Sequence, residues 1–255
     1  MKFIAPFFLF ILGCTLKNPS QNFKEDHSTY NYLDSTGTYK FIRESKKVSN
    51  KIVTRQQMMD EKKGSPKLIE KSITVSRIGS IKNKSSRLLI LRPEASEYTV
   101  WLEGKKYFSR LELNVREKTM KLIMESPEKR WQGTSEVSVP KGRYFCFFNQ
   151  LTECLRLNFL LSRALEQKSR NINFFLIWDS YPYVQEIFSR VGTKLFSPAS
   201  VKYDGTINGL LRFVVEVEGQ VVVYQLNRSF HFIKMAWISQ GATIAPPGEE
   251  NHDED

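Results

Sequence analysis

Few side chains in this sequence of 255 residues could carry out acid–base, nucleophilic or metal chemistry. The histidines are His27, His231 and His252, and no two have the i, i+4 spacing of a zinc-binding helix. There is no Gly-x-Ser-x-Gly nucleophile turn and no glycine-rich phosphate loop. Asp179 follows an apolar segment, where catalytic carboxylates can lie, but its ordinary role is to cap the turn before Pro182. The sequence therefore predicts a non-catalytic protein without a metal or other cofactor.

The first residues have the order of an export signal: Met1-Lys2, an apolar run from Phe3 to Leu12, then Gly13-Cys14. Ile11-Leu12-Gly13-Cys14 resembles the lipobox of bacterial lipoproteins, although one lysine precedes the run and Pro6 interrupts it. The resemblance covers this segment only. It implies that 1–13 are a signal peptide and that Cys14 is acylated, for instance with palmitate, as the first mature residue. An uncleaved anchor and an ordinary signal peptide are the alternatives, but a membrane span needs about 20 apolar residues.

The lipoprotein resemblance also implies a location in the bacterial cell envelope. In lipoproteins of bacteria with two membranes, Asp after the acylated cysteine often retains the protein in the inner membrane. Thr15 occupies that position here, which favours the outer membrane. We therefore expect a chain attached to a membrane through its lipid.

Two further cysteines, Cys146 and Cys154, remain if Cys14 carries lipid. They could form a disulfide, stay as buried free thiols or bind a metal. No Cys-x-x-Cys motif and no neighbouring histidine supports a metal. Because cysteine pairs persist outside the cytoplasm, we predict a disulfide.

The sequence is basic, with a net charge of +11. Residues 248–255 contain five carboxylates, so residues 1–247 carry +16. Behind an export signal, the expected partners are anionic lipid head groups, lipopolysaccharide or an acidic envelope polymer, and not nucleic acid. The alternative is a solvated, lysine-rich surface, which discourages strand edges from aggregating. The spread of basic residues along the chain favours this alternative.

The pattern of apolar residues predicts the domain layout. Residues 14–36 are rich in Asn, Ser, Thr and Lys and are typical of a flexible tether. Residues 37–244 form a single β-rich domain, and residues 245–255 a disordered acidic tail. Tyr183 to Val191 alternates like a strand, with a short helix as the alternative.

Two hairpins are predicted in detail. In residues 210–226, a turn at Glu218-Gly219 pairs Val215 with Val222 and Phe213 with Tyr224, so turn and apolar pattern agree. The earlier hairpin, near residues 98–115, is predicted to turn at Gly104-Lys105. That turn places Leu102 beside Tyr107 and Trp101 beside Phe108.

Residues 149–168 have helical spacing, with Asn149 as a candidate cap. Apolar residues cover most of the circumference, and Glu153, Arg156 and Arg163 belong to a polar stripe. A helix apolar on so many sides must be covered by a large surface. It is either simply part of the core or a plug over a lipid-sized cavity.

These elements predict a mainly β (α+β) protein in which a curved antiparallel sheet, or half-barrel meander, packs around one central apolar helix. The order of elements in residues 140–244 resembles open half-barrels, including the lipoprotein-carrier fold and an uncharacterised group of exported half-barrel proteins. The motifs concerned are Phe213-Val-Val-Glu-Val, Val221-Val-Val-Tyr-Gln-Leu and Lys234-Met-Ala-Trp. The resemblance implies ligand holding and no turnover.

Candidate ligand-binding residues follow from this picture. Trp101, Trp178 and Trp237 could line a hollow or fill a core. Arg143 and Arg156 flank the cysteine loop and could receive an anionic head group, or be plain surface charges. The leading hypothesis is a tethered binding protein for a lipid or acyl chain in envelope assembly. The alternative is a structural or interaction module with a solid core, which docks an envelope protein through a strand edge or the acidic tail.

Overall fold

The structure, a computed structural model, describes residues 23, 25–61, 66–82, 87–168, 170–188 and 190–248. The predicted signal peptide, Cys14 and the acidic end of the chain lie outside these residues. The strands are β1 Asp26–Asp34, β2 Gly37–Val48, β3 Lys51–Asp60, β4 Lys67–Lys82, β5 Arg87–Leu102, β6 Lys105–Asn114, β7 Thr119–Glu125, β8 Gly133–Ser138, β9 Phe145–Phe147, β10 Ile172–Ile177, β11 Phe196–Ile207, β12 Leu210–Val217, β13 Gln220–Leu226, β14 Phe232–Trp237 and β15 Ala242–Ala245. The helices are α1 Leu151–Leu157, α2 Leu160–Glu166 and α3 Val184–Ile187.

All fifteen strands belong to one sheet, in the order β8-β7-β6-β5-β4-β3-β2-β1-β15-β14-β13-β12-β11-β10-β9. The first and last strands pair at the middle of the sheet, where Asn31 is opposite Ala245. Every pairing is antiparallel except β9 with β10. The sheet is curved and not closed, and short helices lie against it, so the predicted half-barrel class is confirmed. The sheet is mixed because α1 and α2 connect β9 to β10 as a crossover.

The strands are tilted as in a barrel. Following hydrogen-bonded partners across the sheet, Ile172 at the start of β10 is level with Val201, Val215, Val222 and then Trp237 at the end of β14. Such a steady offset is what strand tilt produces in a curved sheet. Despite this offset, the strand ends lie along two opposite sides of the curved sheet, which are called its rims.

The β12–β13 hairpin confirms its prediction. Glu218 and Gly219 both have positive φ, of 49° and 75°, as a two-residue turn of the hairpin type requires. Val215 is opposite Val222, and Phe213 is opposite Tyr224.

The register predicted for the β5–β6 hairpin is wrong. The turn residues are Glu103 and Gly104, with φ of 51° and 79°, so Gly104 takes the second position of the turn and not the first. Leu102 is therefore opposite Lys105, and Trp101 is opposite Lys106. A shift of one residue in the turn changed every pair.

The predicted single helix is two helices. Phe159 has a φ of 60°, in the left-handed region, and separates α1 from α2. Asn149 is not the cap, because Gln150 occupies that position and makes no side-chain capping bond. Asn158 instead fixes the break, since its amide bonds both backbone groups of Leu91. Residues 184–187 form a short helix, so the strand predicted there is wrong and the alternative is right.

Two predicted boundaries need correction. The tether was predicted to reach residue 36, but β1 begins at Asp26. Tyr30 and Tyr32 turn inward and are 5% and 7% exposed, which supplies the buried surface that the polar composition conceals. Ala245, assigned to the disordered tail, is the last residue of β15.

Candidate functional site

A cavity of about 90 Å³ lies on the concave side of the sheet. Its wall comes from β1 to β5 and β13 to β15, and the segment leading into α1 closes it. Aromatic and aliphatic side chains such as Tyr32, Phe41, Met58 and Trp237 line part of it. Glu70 contributes a carboxyl group.

Small hydroxyl side chains face the interior from β2 to β5. The Ser45 and Thr54 hydroxyls are 3.0 Å apart, and those of Thr74 and Ser96 are 3.4 Å apart. Gln150 donates from Nε2 to the Thr54 hydroxyl at 3.1 Å and to the Thr74 carbonyl at 2.8 Å. Because these side chains are short, the segment before α1 can approach the sheet closely. This part of the interior is therefore filled, and its side chains are hydrogen-bonded except for Gln150 Oε1, which has no partner among the described residues.

Asp179 ties three segments together in this polar layer. Its Oδ1 accepts hydrogen bonds from the Thr74 hydroxyl at 2.6 Å and the Ser96 hydroxyl at 3.0 Å. Its Oδ2 accepts the Asn149 N–H at 2.9 Å. Burial raises the pKa of Asp179 to about 6, and the hydrogen bonds oppose that rise. The carboxylate connects β4, β5 and the start of α1, so its geometry is that of a structural group.

Glu70 and Tyr98 form the second unusual pair. Glu70 is partly exposed as a whole residue, but its carboxyl group faces the cavity, and burial raises its pKa to about 7. Tyr98 is 1% exposed, and its hydroxyl has no hydrogen-bond partner of acceptable geometry among the described residues. Burial and then the charge of Glu70 raise the pKa of Tyr98. Burial in the cavity wall therefore favours the protonated, uncharged form of Glu70.

A buried ion network lies beneath the start of β1. Arg43 contacts Glu153 at 2.5 Å and Asp26 at 3.1 Å. Arg156 lies beside this pair, with its guanidinium 5.7 Å from the ring centre of Phe23. Burial is the largest single influence and opposes ionisation of Glu153, but the charge of Arg43, its hydrogen bond and the remaining polar contacts together outweigh burial and lower the pKa of Glu153. The network holds α1 to β1 and β2.

The structure disperses the predicted ligand residues. Trp178 and Trp237 are buried and stacked, with ring centres 6.1 Å apart, and only Trp237 borders the cavity. Trp101 lies away from the cavity on β5. Arg143 is on the outer side, whereas Arg156 is inside. The five residues therefore do not form one site.

The predicted disulfide is present. Cys146 and Cys154 are bonded at 2.05 Å and connect β9 to α1. This outcome excludes the free-thiol and metal-pair alternatives for these residues. Among the described residues, no group of three or more His, Cys, Asp or Glu is arranged to hold a metal ion.

An open groove of about 770 Å³ crosses the outer face of β10 to β13. Arg143 and Tyr144 form one wall, and Phe175 and Glu216 belong to its floor. A β-carbon on Gly142 would lie 2.7 Å from the Phe175 ring, so only glycine permits this close approach. The groove carries charges of both signs, from Arg143 and Glu216, and is open to solvent.

Sequence reasoning missed the interior charges. Glu153 and Arg156 were assigned to a polar helix stripe, but both are buried. Arg43 lies on the same face of β2 as Tyr39 and Phe41, because alternate residues of a strand share a face. A cation on the face that carries these aromatic residues was the signal available in the sequence.

Searches against protein-family models, curated proteins and solved structures find no match for this chain. No helix in the described ranges has the length and apolar content needed to cross a bilayer.

Proposed function

We propose that the chain is a non-catalytic lipoprotein of the bacterial envelope, tethered through Cys14, that docks an envelope protein and does not carry a lipid inside. The observation that carries this proposal is the filled, hydrogen-bonded interior. This is the alternative function predicted from the sequence, in which a protein with a solid core serves as a structural or interaction module.

The size and chemistry of the interior support docking over lipid holding. Ligand pockets usually have volumes of roughly 300–1,000 Å³ and mostly apolar walls. The concave cavity measures about 90 Å³ and includes Glu70, Arg43 and Gln56 among its lining residues. An acyl chain placed there would desolvate the Glu70 carboxyl group without pairing it.

The sheet edges supply a docking surface. At one edge, β9 has Cys146 and Phe147 fully buried, and Phe147 packs with Leu111 and Met120 of β6 and β7. At the other edge, β8 is exposed at every residue except Val137. An exposed edge can accept an added strand from a partner, with backbone hydrogen bonds giving affinity.

The tether is tested by feeding labelled palmitate to cells that make the chain. We expect label in the wild-type chain and none in Cys14→Ser, with the Ser variant leaving the membrane fraction. Cys146→Ser with Cys154→Ser is the matched control, because it removes two thiols and keeps Cys14. Label that persists in Cys14→Ser would exclude the lipobox assignment.

The docking proposal is tested by photo-crosslinking in the native host. A crosslinking residue at Glu136 on β8 should give a discrete heterologous adduct, and one at Lys234 on the interior strand β14 should not. Native mass spectrometry of the purified protein should find no bound lipid. A stoichiometric lipid that is lost when Met235→Trp fills the cavity would instead favour the lipid-holding function.

A further inference from the structure

The segments that connect the strands lie on two rims, because the tilted strands end on two sides of the half-barrel. The N-terminal rim is the side on which Phe23 lies, and α1 and α2 meet there. Its segments are residues 23 and 25, 49–50, 115–118, 139–144, 158–159, 167–168, 170–171, 208–209, 227–231 and 246–248. The opposite rim comprises 35–36, 61 and 66, 103–104, 126–132, 148–150, 178–188, 190–195, 218–219 and 238–241.

Charge is unequal between the two rims. The N-terminal rim has two carboxylates, Glu25 and Glu117, and seven cations, so its net charge is +5: Arg116, Lys118, Lys141, Arg143, Lys168, Arg170 and Arg228. The opposite rim has four cations and six carboxylates, a net charge of −2. Basic residues that are dispersed in the sequence thus converge on one side of the molecule.

The seven cations are available to an external partner. All seven are exposed, and none forms an ion pair with another described residue. Cations in the middle of the sheet behave differently: Arg55 pairs with Glu44, and Arg77 pairs with Glu94.

Apolar residues accompany these cations. Among the residues that the structure describes, five large hydrophobic residues are exposed. Three of them border the N-terminal rim: Val48, Val115 and Ile207, with exposures of 56%, 72% and 39%. Apolar tips flanked by Lys and Arg suit the interface of an anionic bilayer, where the tips enter the head-group layer and the cations meet phosphate.

The position of the chain's entry selects a bilayer as the partner. Phe23 lies on this rim against Arg156. Phe23 is nine residues beyond Cys14, a distance of at most about 30 Å when the chain is fully extended. We propose that the N-terminal rim is a membrane-docking surface that binds anionic phospholipid head groups and holds the half-barrel upright on the bilayer. This inference rests on the proposed tether at Cys14.

The test uses residues 14–255 with Cys14→Ser, a form that has no lipid and keeps every described residue. Its partition onto vesicles of phosphatidylcholine is compared with partition onto vesicles of equal parts phosphatidylcholine and phosphatidylglycerol. We expect binding to the anionic vesicles only, and loss of it at about 1 M salt.

Two matched triple variants locate the surface. Arg116→Gln, Lys141→Gln and Arg228→Gln alter the N-terminal rim, and Lys129→Gln, Arg190→Gln and Lys194→Gln alter the opposite rim by the same net charge. The first set should weaken binding by about 100-fold, at about 5-fold per cation, and the second set should change it little. Equal weakening by both sets would overturn the proposal, because net charge alone would then explain binding.

The acidic end of the sequence is the competing occupant, since residues 246–248 leave β15 on the same rim. The same comparison is therefore made with a chain that stops at Gly248. If the rim cations affect vesicle binding only in the shorter chain, residues 249–255 cover this rim in the longer chain and the bilayer assignment fails. The vesicle assay does not depend on acylation. If cells add no palmitate to the chain, but binding to anionic vesicles still requires the rim cations, only the tether is refuted.

Discussion

At the scale of single residues, the buried ion network depends on being complete. Arg43 and Glu153 are 6% and 8% exposed. Without Arg43, Glu153 is a buried carboxylate that has lost its ion pair, and without Glu153, Arg43 keeps only its ion pair with Asp26. Removing one partner of such a pair costs about 3–5 kcal/mol, whereas replacing both with apolar residues is often neutral.

A double-mutant cycle tests this dependence. Arg43→Met alone should lower the unfolding free energy by about 3 kcal/mol in urea titrations. Adding Glu153→Leu should recover most of that loss. Arg55→Met, at an exposed pair with Glu44, is the control and should cost under about 1 kcal/mol. If the double variant lost as much unfolding free energy as the sum of the two single variants, the Arg43–Glu153 contact would contribute nothing to stability.

Glu70 gives the protein an unusual pH dependence. Its pKa in the folded chain, about 7, is above the ordinary value of 4.5, so the folded state holds the proton more tightly. Its contribution to stability is complete below about pH 4.5 and is lost as the pH rises through about 7. The pKa of Asp179 is also raised, to about 6, so its contribution to stability is likewise lost as the pH rises through about 6.

Glu70→Gln should remove that part of the slope, so that the unfolding free energy falls less between about pH 5 and 7.5 than in the wild type. Thermal unfolding at a series of pH values measures it. The exposed Glu103→Gln variant should leave the slope unchanged. A wild-type protein that becomes more stable over this range, with Glu70→Gln following it in parallel, would contradict the burial of this carboxyl group.

The sequence predicted residue types better than residue positions. The number of cysteines and the predicted export signal were enough to predict the Cys146–Cys154 bond. The fate of Trp178 and Trp237 was left open between core and hollow, because that choice depends on strands far apart in the chain. Arg43 was missed although it alternates in phase with Tyr39 and Phe41, and Glu153 was missed because a polar helix stripe is recognised as buried only when α1 is packed against β2.

At the scale of elements, turn geometry decides the register. Glu103 has a φ of 51° in the β5–β6 turn, where a residue with a β-carbon other than Asn or Asp costs roughly 1–2 kcal/mol. Glu103→Asn should therefore raise the unfolding free energy by up to about 1 kcal/mol. Gly104→Ala, at a φ of 79°, should lower it by a similar amount. Chemical denaturation measures both, and a stabilising Gly104→Ala would contradict this turn.

The two hairpins show what local sequence can determine. Glu218-Gly219 was identified correctly because apolar residues on both strands supported only one register. Near the β5–β6 turn, Trp101 and Leu102 are apolar on both faces of β5, and Lys105 and Lys106 are polar on both faces of β6, so neither strand favours one register. The position of Gly104 alone had to decide, and the turn was placed one residue too late in the chain. The first strand, β1, was missed because only Tyr30 and Tyr32 supply its apolar face.

At the scale of the whole molecule, β15 joins the two halves of the sheet. It pairs with β1 on one side and β14 on the other, through Asn31–Leu33 and Met235–Trp237. A chain that stops at Gly241 should therefore lose cooperative unfolding in circular dichroism, because both halves then have an unpaired edge. A chain that stops at Gly248 keeps all fifteen strands and is the control. Equal thermal midpoints for the two truncations would refute the central pairing.

The fold class was accessible from the sequence and the global arrangement was not. Alternating runs and one apolar helical segment specify a curved sheet around a helix. The join of the first strand to the last is a contact across almost the whole chain, which no local pattern encodes. The basic rim has the same cause, since successive hairpins return distant lysines and arginines to one side.

The place of β15 in the sheet also governs when the protein can mature. The ribosome must synthesise residues 242–245 before β1 and β14 have their shared neighbour, so the nascent chain cannot complete the sheet before that point. An incompletely folded polypeptide is also the form that a narrow secretion channel admits. If the chain is exported as proposed, it completes its sheet on the far side of the membrane, where Cys146 and Cys154 can oxidise.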